Sequence, residues 1–442
     1  MATLQAIHAG WVIPVEPHGA VLEKHTVVVE NALIRAIVPT TEWRPDGTTE
    51  LIEIDCREHA LIPGLINAHT HAGMSLFRGL ADDRPLMEWL EQHIWPAEAE
   101  FVGRSFVRDG TRLAASEMLR GGTTCFNDMY FFGDEAAAAA IETGIRAVIG
   151  MIVIGFPSAW AGTIDDYFRN GQQIHDQYRD HPLVTTSFAP HAPYTVDDAA
   201  LLRIATLAEE LDLPIHMHLH ETADEVERAV ASNGASPLRR LEGLGLLSPR
   251  LQAVHMTALT DDEITAVAHA GVNVVHCPES NLKLASGFCP VAKLLSAGIN
   301  VALGTDGAAS NNDLDMFGEL RTAALLAKGV AGDASALPAA SALRMATING
   351  AKALGLEQQI GSISVGKLAD LVAVDMSQPD TQPLYEPISQ LVYAAHRSLV
   401  REVWVGGRHV VRGGQLVSVD VMQVVENARQ WRDRIAPLAT ST

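Results

Sequence analysis

Two histidines separated by one residue follow an early apolar segment of the chain. The segment reads LIPGLINAHTHAG, and its apolar run ends at His69 and His71. Because alternate side chains of a β-strand point to the same face, these two imidazoles would lie on one side of a strand. One metal ion could then bind both rings, and Zn²⁺ accepts nitrogen and oxygen ligands. Without further ligands in the sequence, the two histidines could equally be ordinary polar residues at the end of a strand.

Further ionisable residues stand where later apolar segments end. They are His191 in SFAPHAP, His216, His218, His220 and Glu221 in IHMHLHE, His255 in LQAVHM, His276 in VNVVHC, and Asp306 in VALGTDG. A single histidine of this kind is commonly a hydrogen-bonded core residue, and we interpret His216 and His276 in that way. The set as a whole is more specific. It predicts three histidines and one aspartate around a metal with an open position for water.

The segments that carry these residues repeat one pattern between about residues 62 and 357. Short apolar strands end in polar residues, and amphipathic helices follow them. The strands are LIPGLINAHTH, TTCFNDMYF, IRAVIGMIVIG, LVTTSFAPHAP, LPIHMHLHET, LQAVHMTAL, GVNVVHCPES and INVALGTDG. Eight such units in about 300 residues predict an α/β fold, a (β/α)8 TIM barrel with its site at the C-terminal strand ends. A doubly wound sheet is the alternative, but the GxGxxG turn typical of that fold is missing.

The two ends of the chain have a different pattern from the middle. Residues 1–61 and 358–420 alternate apolar and polar side chains between turn residues, which is typical of strands. We therefore predict one small β-sandwich domain formed from both chain ends, with the barrel at 62–357 between its two parts. Residues 421–442 read as a C-terminal helix.

Composition excludes several classes of partner. The formal charge is 32 − 53 = −21, so the surface repels nucleic acid and offers no basic patch to anionic lipid. No apolar run reaches membrane-spanning length. Four scattered cysteines without a CxxC motif predict a reduced, cytoplasmic setting. We expect a small-molecule substrate, and the sequence leaves open whether the chain forms a homo-oligomer.

The motifs PGLINAHTH, HLHET, AVHMTAL and GTDGAASNN resemble those of the amidohydrolase superfamily over nearly the whole chain. The resemblance implies one divalent metal per subunit, Zn²⁺ or alternatively Fe²⁺. It implies four ligands, namely His69, His71, His218 and Asp306. Glu221, three residues after His218, matches the proton-shuttling acid of the superfamily, and His255 matches the histidine of the sixth strand. The fourth strand lacks the lysine that bridges two metals in binuclear members, which favours a mononuclear site.

One branch of this superfamily is more similar than the others. NAHTHAGMSLFRGLADDRPLMEWLEQHIWPAEAEF, APHAPYTV and PESNLKLASG are similar to deaminases of 5′-methylthioadenosine and S-adenosylhomocysteine. The resemblance implies that Glu98 accepts hydrogen bonds from the ribose hydroxyls, that His191 contacts ribose or purine, and that Trp89 lines the pocket. Arg169, the only arginine between residues 147 and 178, matches no motif for the homocysteine carboxylate, so the thioether nucleoside is favoured.

The resemblance to these deaminases implies hydrolytic deamination of an adenine ring. Asp306 and His255 would accept and hold the proton of the attacking water, and Glu221 would protonate the adjacent ring nitrogen so that ammonia leaves. That task needs a tuned carboxyl pKa, and the sequence leaves the direction of the shift open.

Other functions compete with this interpretation. A deaminase of guanine or 8-oxoguanine, or a triazine hydrolase, would share the metal site without needing Glu98. A non-catalytic scaffold would have lost ligands, whereas every ligand position is filled here. The zinc fold of cytidine deaminases requires P-C-x-x-C, which this chain lacks.

Overall fold

The computed structural model of the protein describes residues 3–45 and 50–439. In that part of the chain, sixteen strands form two eight-stranded sheets. The strands are β1 (Thr3–Val12), β2 (Leu22–Glu30), β3 (Leu33–Pro39), β4 (Glu50–Pro63), β5 (Leu65–Thr70), β6 (Thr123–Asp128), β7 (Arg146–Val153), β8 (Val184–Pro190), β9 (Ile215–Leu219), β10 (Leu251–His255), β11 (Asn273–His276), β12 (Val301–Leu303), β13 (Leu371–Asp375), β14 (Val400–Val405), β15 (Arg408–Arg412) and β16 (Gln415–Leu416).

Strands β5 to β12 form the predicted barrel. They lie side by side in chain order, and each pairs in parallel with the next. The backbone N–H of Asp306, just beyond β12, donates to the carbonyl of His69 in β5 at 3.0 Å, which brings the last strand beside the first. Residues of these strands are buried almost without exception, as expected for strands covered by helices. The (β/α)8 prediction is therefore confirmed.

Helices connect and cover these strands. They are α1 (Leu86–Glu88), α2 (Trp95–Phe101), α3 (Arg104–Arg120), α4 (Gly133–Thr143), α5 (Ile164–Tyr178), α6 (Asp198–Glu210), α7 (Ala223–Asn233), α8 (Pro237–Gly243), α9 (Asp261–Ala270), α10 (Pro278–Lys283), α11 (Val291–Ser296), α12 (Ala308–Asn311), α13 (Met316–Ala331), α14 (Ala339–Met345), α15 (Ile348–Ala353), α16 (Pro387–Tyr393) and α17 (Val421–Ala439). A π-helical stretch, Trp89–Ile94, joins α1 to α2, so the chain is helical from Leu86 to Phe101. Such wide turns are frequent at functional sites.

Both ends of the chain contribute to the second sheet, as predicted. Its order is β16-β15-β14-β13-β4-β1-β2-β3, so β4 and β13 join the two parts. Ile7, Val27, Leu61 and Trp404 belong to a core of its own. The domain limits after residues 61, 357 and 420 stay predictions. Residues 1, 2, 46–49 and 440–442 of the predicted terminal elements lie outside the described residues.

The membrane prediction can be compared with the helices. Within the described ranges, none of the helices has both the length and the apolar character that crossing a bilayer requires.

Candidate metal centre and substrate pocket

The predicted site residues lie at one end of the barrel. His69 belongs to β5, His218 to β9 and His255 to β10, and Asp306 follows β12. His255 and Asp306 have φ angles of 77° and 62°, in the left-handed region that side chains other than glycine rarely adopt. Backbone of this kind persists where the surrounding structure holds it, and it concentrates at functional sites. The left-handed backbone at these two positions therefore helps to orient the side chains of His255 and Asp306.

The four predicted ligands form one cluster. One ligand atom each from His69, His71, His218 and Asp306 lies within 4.8 Å of all the others. Oδ1 of Asp306 is 3.2 Å from Nε2 of both His69 and His71, and Nε2 of His218 is 3.3 Å from Nε2 of His69. A set of three imidazoles and one carboxylate fits a divalent cation such as Zn²⁺.

Hydrogen bonds on the far side of two rings support the same fit. Nδ1 of His71 donates to the carbonyl of Met129 at 2.5 Å, and Nδ1 of His218 donates to the carbonyl of His191 at 2.8 Å. With the proton on Nδ1, each ring presents the lone pair of Nε2 to the cluster. The backbone around the site thus fixes the tautomer that a metal ligand needs.

Charge around the cluster also suits a cation. Burial opposes ionisation of Asp306, but the imidazole rings of His69 and His71 beside it hold its pKa well below the ordinary value. Oδ2 of the same carboxylate accepts hydrogen bonds from Ser280 and Ser310, both at 2.7 Å. Burial lowers the pKa of His69 and, by much more, that of His218. For His71, burial is outweighed by the contact with the Asp306 carboxylate, so the pKa of this ring is instead raised. An ionised carboxylate therefore stands beside two rings, His69 and His218, that favour the neutral form.

His216, interpreted from the sequence as a core residue, lies inside the barrel beneath this cluster. Its side chain is fully buried, and Nε2 lies 2.8 Å from Nδ1 of His69. Partners of this type orient a ligating histidine and set its basicity. His216 is thus buried as expected, and it also contacts a predicted ligand.

Glu221 and His255 face each other beside the ligands. Oε2 of Glu221 lies 3.8 Å from Nε2 of His255, and the Asn281 amide lies 2.9 Å from the other ring nitrogen. Burial raises the pKa of Glu221 well above its ordinary value, and the Asp306 charge adds to this. Burial also lowers the pKa of His255 to about 3. The direction that the sequence left open for Glu221 is therefore upward, as a general acid needs.

A pocket joins these groups to the predicted substrate-binding residues. It is lined by Trp89, Glu98, Tyr130, His191, Glu221, His255 and Asp306, among others. Trp89 and Glu98 come from the helical stretch Leu86–Phe101, and His191 directly follows β8. Burial raises the pKa of Glu98 to about 7, although a hydrogen bond from Tyr130 opposes the rise. The predicted metal-binding and substrate-binding residues thus share one cavity, while their roles stay predictions.

Tyr130 and Arg169 differ in their relation to the pocket. Tyr130 lies in the pocket, but no role was predicted for it from the sequence, although it belongs to the predicted strand segment TTCFNDMYF. Its position directly after a barrel strand was the signal that could have found it. Arg169 lies on α5, pairs with Asp166 and is 60% exposed, so the pocket gains no cation from it.

A barrel of this kind with a three-histidine, one-aspartate cluster defines a metal-dependent hydrolase. The chain belongs to the amidohydrolase family, whose model matches residues 60–410. Among its relatives, a 5-methylthioadenosine/S-adenosylhomocysteine deaminase of Teredinibacter turnerae is 50% identical over 430 residues, which cover 97% of both chains. The predicted family and the predicted class of enzyme, a hydrolase of carbon–nitrogen bonds, are therefore confirmed.

Solved structures share the fold of this chain and bear on the metal. An adenosine deaminase from Xanthomonas campestris with bound zinc is 56% identical and superposes with a TM-score of 0.96 over 98% of each chain. An atrazine chlorohydrolase from Arthrobacter aurescens complexed with zinc is 25% identical, with a TM-score of 0.89 over 97% of this chain and 99% of that one. Together with the ligand cluster, these structures support a site for a divalent metal.

Proposed function

We propose that the protein hydrolyses the adenine amino group of 5′-methylthioadenosine, giving the inosine derivative and ammonia. We propose S-adenosylhomocysteine and adenosine as further substrates of the same reaction. One observation supports this choice above others: Glu98, a carboxylate, lies in the same pocket as the metal ligands. A vicinal ribose diol donates two hydrogen bonds, and a carboxylate accepts both. The names of the relatives point to the same substrates.

The proposed roles follow from the contacts in the pocket. His69, His71, His218 and Asp306 hold one divalent cation, with Zn²⁺ proposed first and Fe²⁺ as the alternative. When bound, such a cation supplies Lewis acidity that activates a water molecule. His255 and Asp306 would accept the proton that the attacking water loses at the amino-bearing carbon and return it to the departing amino group, which leaves as ammonia.

The remaining groups act on the substrate itself. Glu221, whose pKa burial raises well above its ordinary value, donates its proton to the adjacent ring nitrogen. Glu98 accepts the ribose hydroxyls, His191 contacts ribose or purine, and Trp89 forms an apolar wall. The four cysteines are buried and unpaired, which agrees with the proposed reducing cytoplasmic setting.

Ammonia release from a panel of substrates tests this proposal. The purified, metal-loaded chain is assayed with 5′-methylthioadenosine, S-adenosylhomocysteine, adenosine, guanine and 8-oxoguanine. We expect kcat/KM to be highest for 5′-methylthioadenosine and to be lower for both free bases by about 10²-fold or more. A free base as the best substrate would instead favour the second candidate, a base deaminase. A chain that binds no metal and releases no ammonia would favour a scaffold.

Glu98→Gln gives a prediction for the nucleoside assignment. The amide keeps the size of the side chain but loses the charge and one acceptor, so we expect kcat/KM for 5′-methylthioadenosine to fall by about 10²-fold. Activity on any accepted free base is expected to stay within about twofold, because no ribose contact is lost. Glu100→Gln, an exposed change on the same helix, is the matched control. Equal losses on nucleoside and base would contradict the role of Glu98.

A further inference from the structure

The segment that directly follows β6 touches both halves of the pocket. The carbonyl of Met129 accepts the hydrogen bond from Nδ1 of His71, one of the predicted metal ligands. The next residue, Tyr130, donates its hydroxyl hydrogen to Oε1 of Glu98 at 2.7 Å. Two consecutive residues therefore connect the metal cluster with the carboxylate proposed to bind ribose.

Close packing determines where the Tyr130 hydroxyl lies. The side chain is 4% exposed, and its ring lies against the backbone at Gly73. A Cβ atom at Gly73 would come within 2.8 Å and 2.9 Å of two ring carbons of Tyr130, closer than packed atoms approach. Phe131 packs beside it, with the ring centroids 5.4 Å apart. A tyrosine held in this way presents its hydroxyl at one place rather than over a range of rotamers.

The orientation of the Glu98 carboxylate depends on its hydrogen bond from Tyr130. Among the residues that the structure describes, Tyr130 is the only hydrogen-bond donor to the carboxylate. Two carboxylate oxygens offer about four acceptor positions, so one bond to Tyr130 leaves acceptors for a diol. A buried carboxylate without that donor would lose both its fixed orientation and part of its stabilisation as an anion.

We propose that Tyr130 is a positioning residue that orients the Glu98 carboxylate to accept the vicinal hydroxyls of the nucleoside. Through Glu98 it contributes to the preference for nucleosides over substrates that lack the diol. This inference rests on the proposed nucleoside substrate, and it assigns to Tyr130 no contact with the reacting atoms.

Tyr130→Phe tests the proposal because it removes the hydroxyl and keeps the ring in its slot. The readout is the ratio of kcat/KM for adenosine to kcat/KM for 2′,3′-dideoxyadenosine, which lacks the diol. We expect this ratio to fall about tenfold, mainly through a higher KM for adenosine, with kcat for either substrate within about twofold. Combined with Glu98→Gln, the change is expected to cause no further loss, since both variants act on the same contact.

A matched control separates positioning from a general structural role. Tyr178 is also buried, and its hydroxyl donates to the carbonyl of Asp134 at 3.3 Å, away from the pocket residues. Tyr178→Phe should keep the wild-type ratio. Inhibition constants of inosine and 2′,3′-dideoxyinosine give the same comparison without relying on turnover of the variant, and melting temperature and metal content report on folding.

The outcomes distinguish this inference from the proposed function. A wild-type chain without a preference for adenosine over its dideoxy analogue overturns the proposed recognition of the diol by Glu98 and the role of Tyr130 with it, whereas the panel with free bases tests the nucleoside substrate itself. A wild-type preference that survives Tyr130→Phe overturns the role of Tyr130 alone. Equal losses of kcat/KM on both substrates would also overturn the role of Tyr130, because they would indicate a general effect on the structure. Losses that add to those of Glu98→Gln would overturn it too, because Tyr130 would then act independently of Glu98.

Discussion

Glu221→Gln is expected to lower kcat for 5′-methylthioadenosine by about 10³-fold, within the range for loss of a general acid. Glutamine has nearly the same shape but no proton that it can transfer to a ring nitrogen. Burial raises the pKa of Glu221 and so favours the protonated carboxyl group; the variant removes that acidic proton and keeps the size of the side chain. Bound metal and KM should therefore change little, within about threefold.

The helix that follows Glu221 offers the control for this variant. Glu227 lies on the exposed face of α7, and Glu227→Gln removes a carboxylate without touching the pocket. Steady-state kinetics and metal analysis on both variants check the prediction. If Glu221→Gln kept more than about a tenth of wild-type kcat, the acid would have to be another group. Loss of metal from the same variant would indicate that Glu221 supports the ligand cluster instead.

The placement of Glu221 shows how local structure prepares the group for this role. Thr222 caps the first turn of α7 by accepting the backbone N–H of Glu225. The Glu225 carboxylate in turn accepts the backbone N–H of Glu221 at 2.7 Å. Carboxylates at a helix N-terminus are stabilising, so this arrangement favours the turn in which Glu221 sits. The spacing HxxE in the sequence thus corresponds to a strand end followed at once by a capped helix.

The metal cluster could be predicted from the sequence because it depends on few geometric rules. Parallel barrel strands end on the same side, so the strand-end residues His69, His218 and Asp306 had to gather at one rim. The alternation of a strand put His69 and His71 on one face. The same rules placed His216 one layer below the rim. These inferences needed only the order of the elements, which hydrophobic patterning gives.

The contact between Tyr130 and Glu98 could not be predicted in this way. The two residues are 32 positions apart, on a loop and in a helix, and their meeting depends on the π-helical stretch Trp89–Ile94. A wide turn of this kind has no clear sequence signal, and it changes which helical residues share a face. The direction of the Glu221 pKa shift also required the structure, because burial and neighbouring charges decide it.

Asp306→Asn is expected to remove the metal. The carboxylate lies 3.2 Å from both His69 and His71, and its charge is the only anionic one in the ligand cluster. An amide keeps the volume but supplies no negative charge and a weaker oxygen ligand, so bound metal should fall from about one ion per chain to below about a tenth. Activity should fall by about 10³-fold or more, because the cation and a proton acceptor are lost together.

Ser310→Ala gives a graded control for the same carboxylate. It removes one hydrogen bond, 2.7 Å long, from a neutral hydroxyl to Oδ2 of Asp306 and leaves the charge of the carboxylate in place. Loss of such a supporting contact is expected to weaken metal binding by about tenfold, far less than loss of the carboxylate. Dialysis against a chelator of known affinity followed by metal analysis measures both variants, and melting curves of the metal-free proteins show whether each still folds. If Asp306→Asn retained a full metal ion, a histidine outside the predicted set would have to complete the site. His255 is a candidate, because it lines the same pocket and its ring centroid lies 5.4 Å from that of His218.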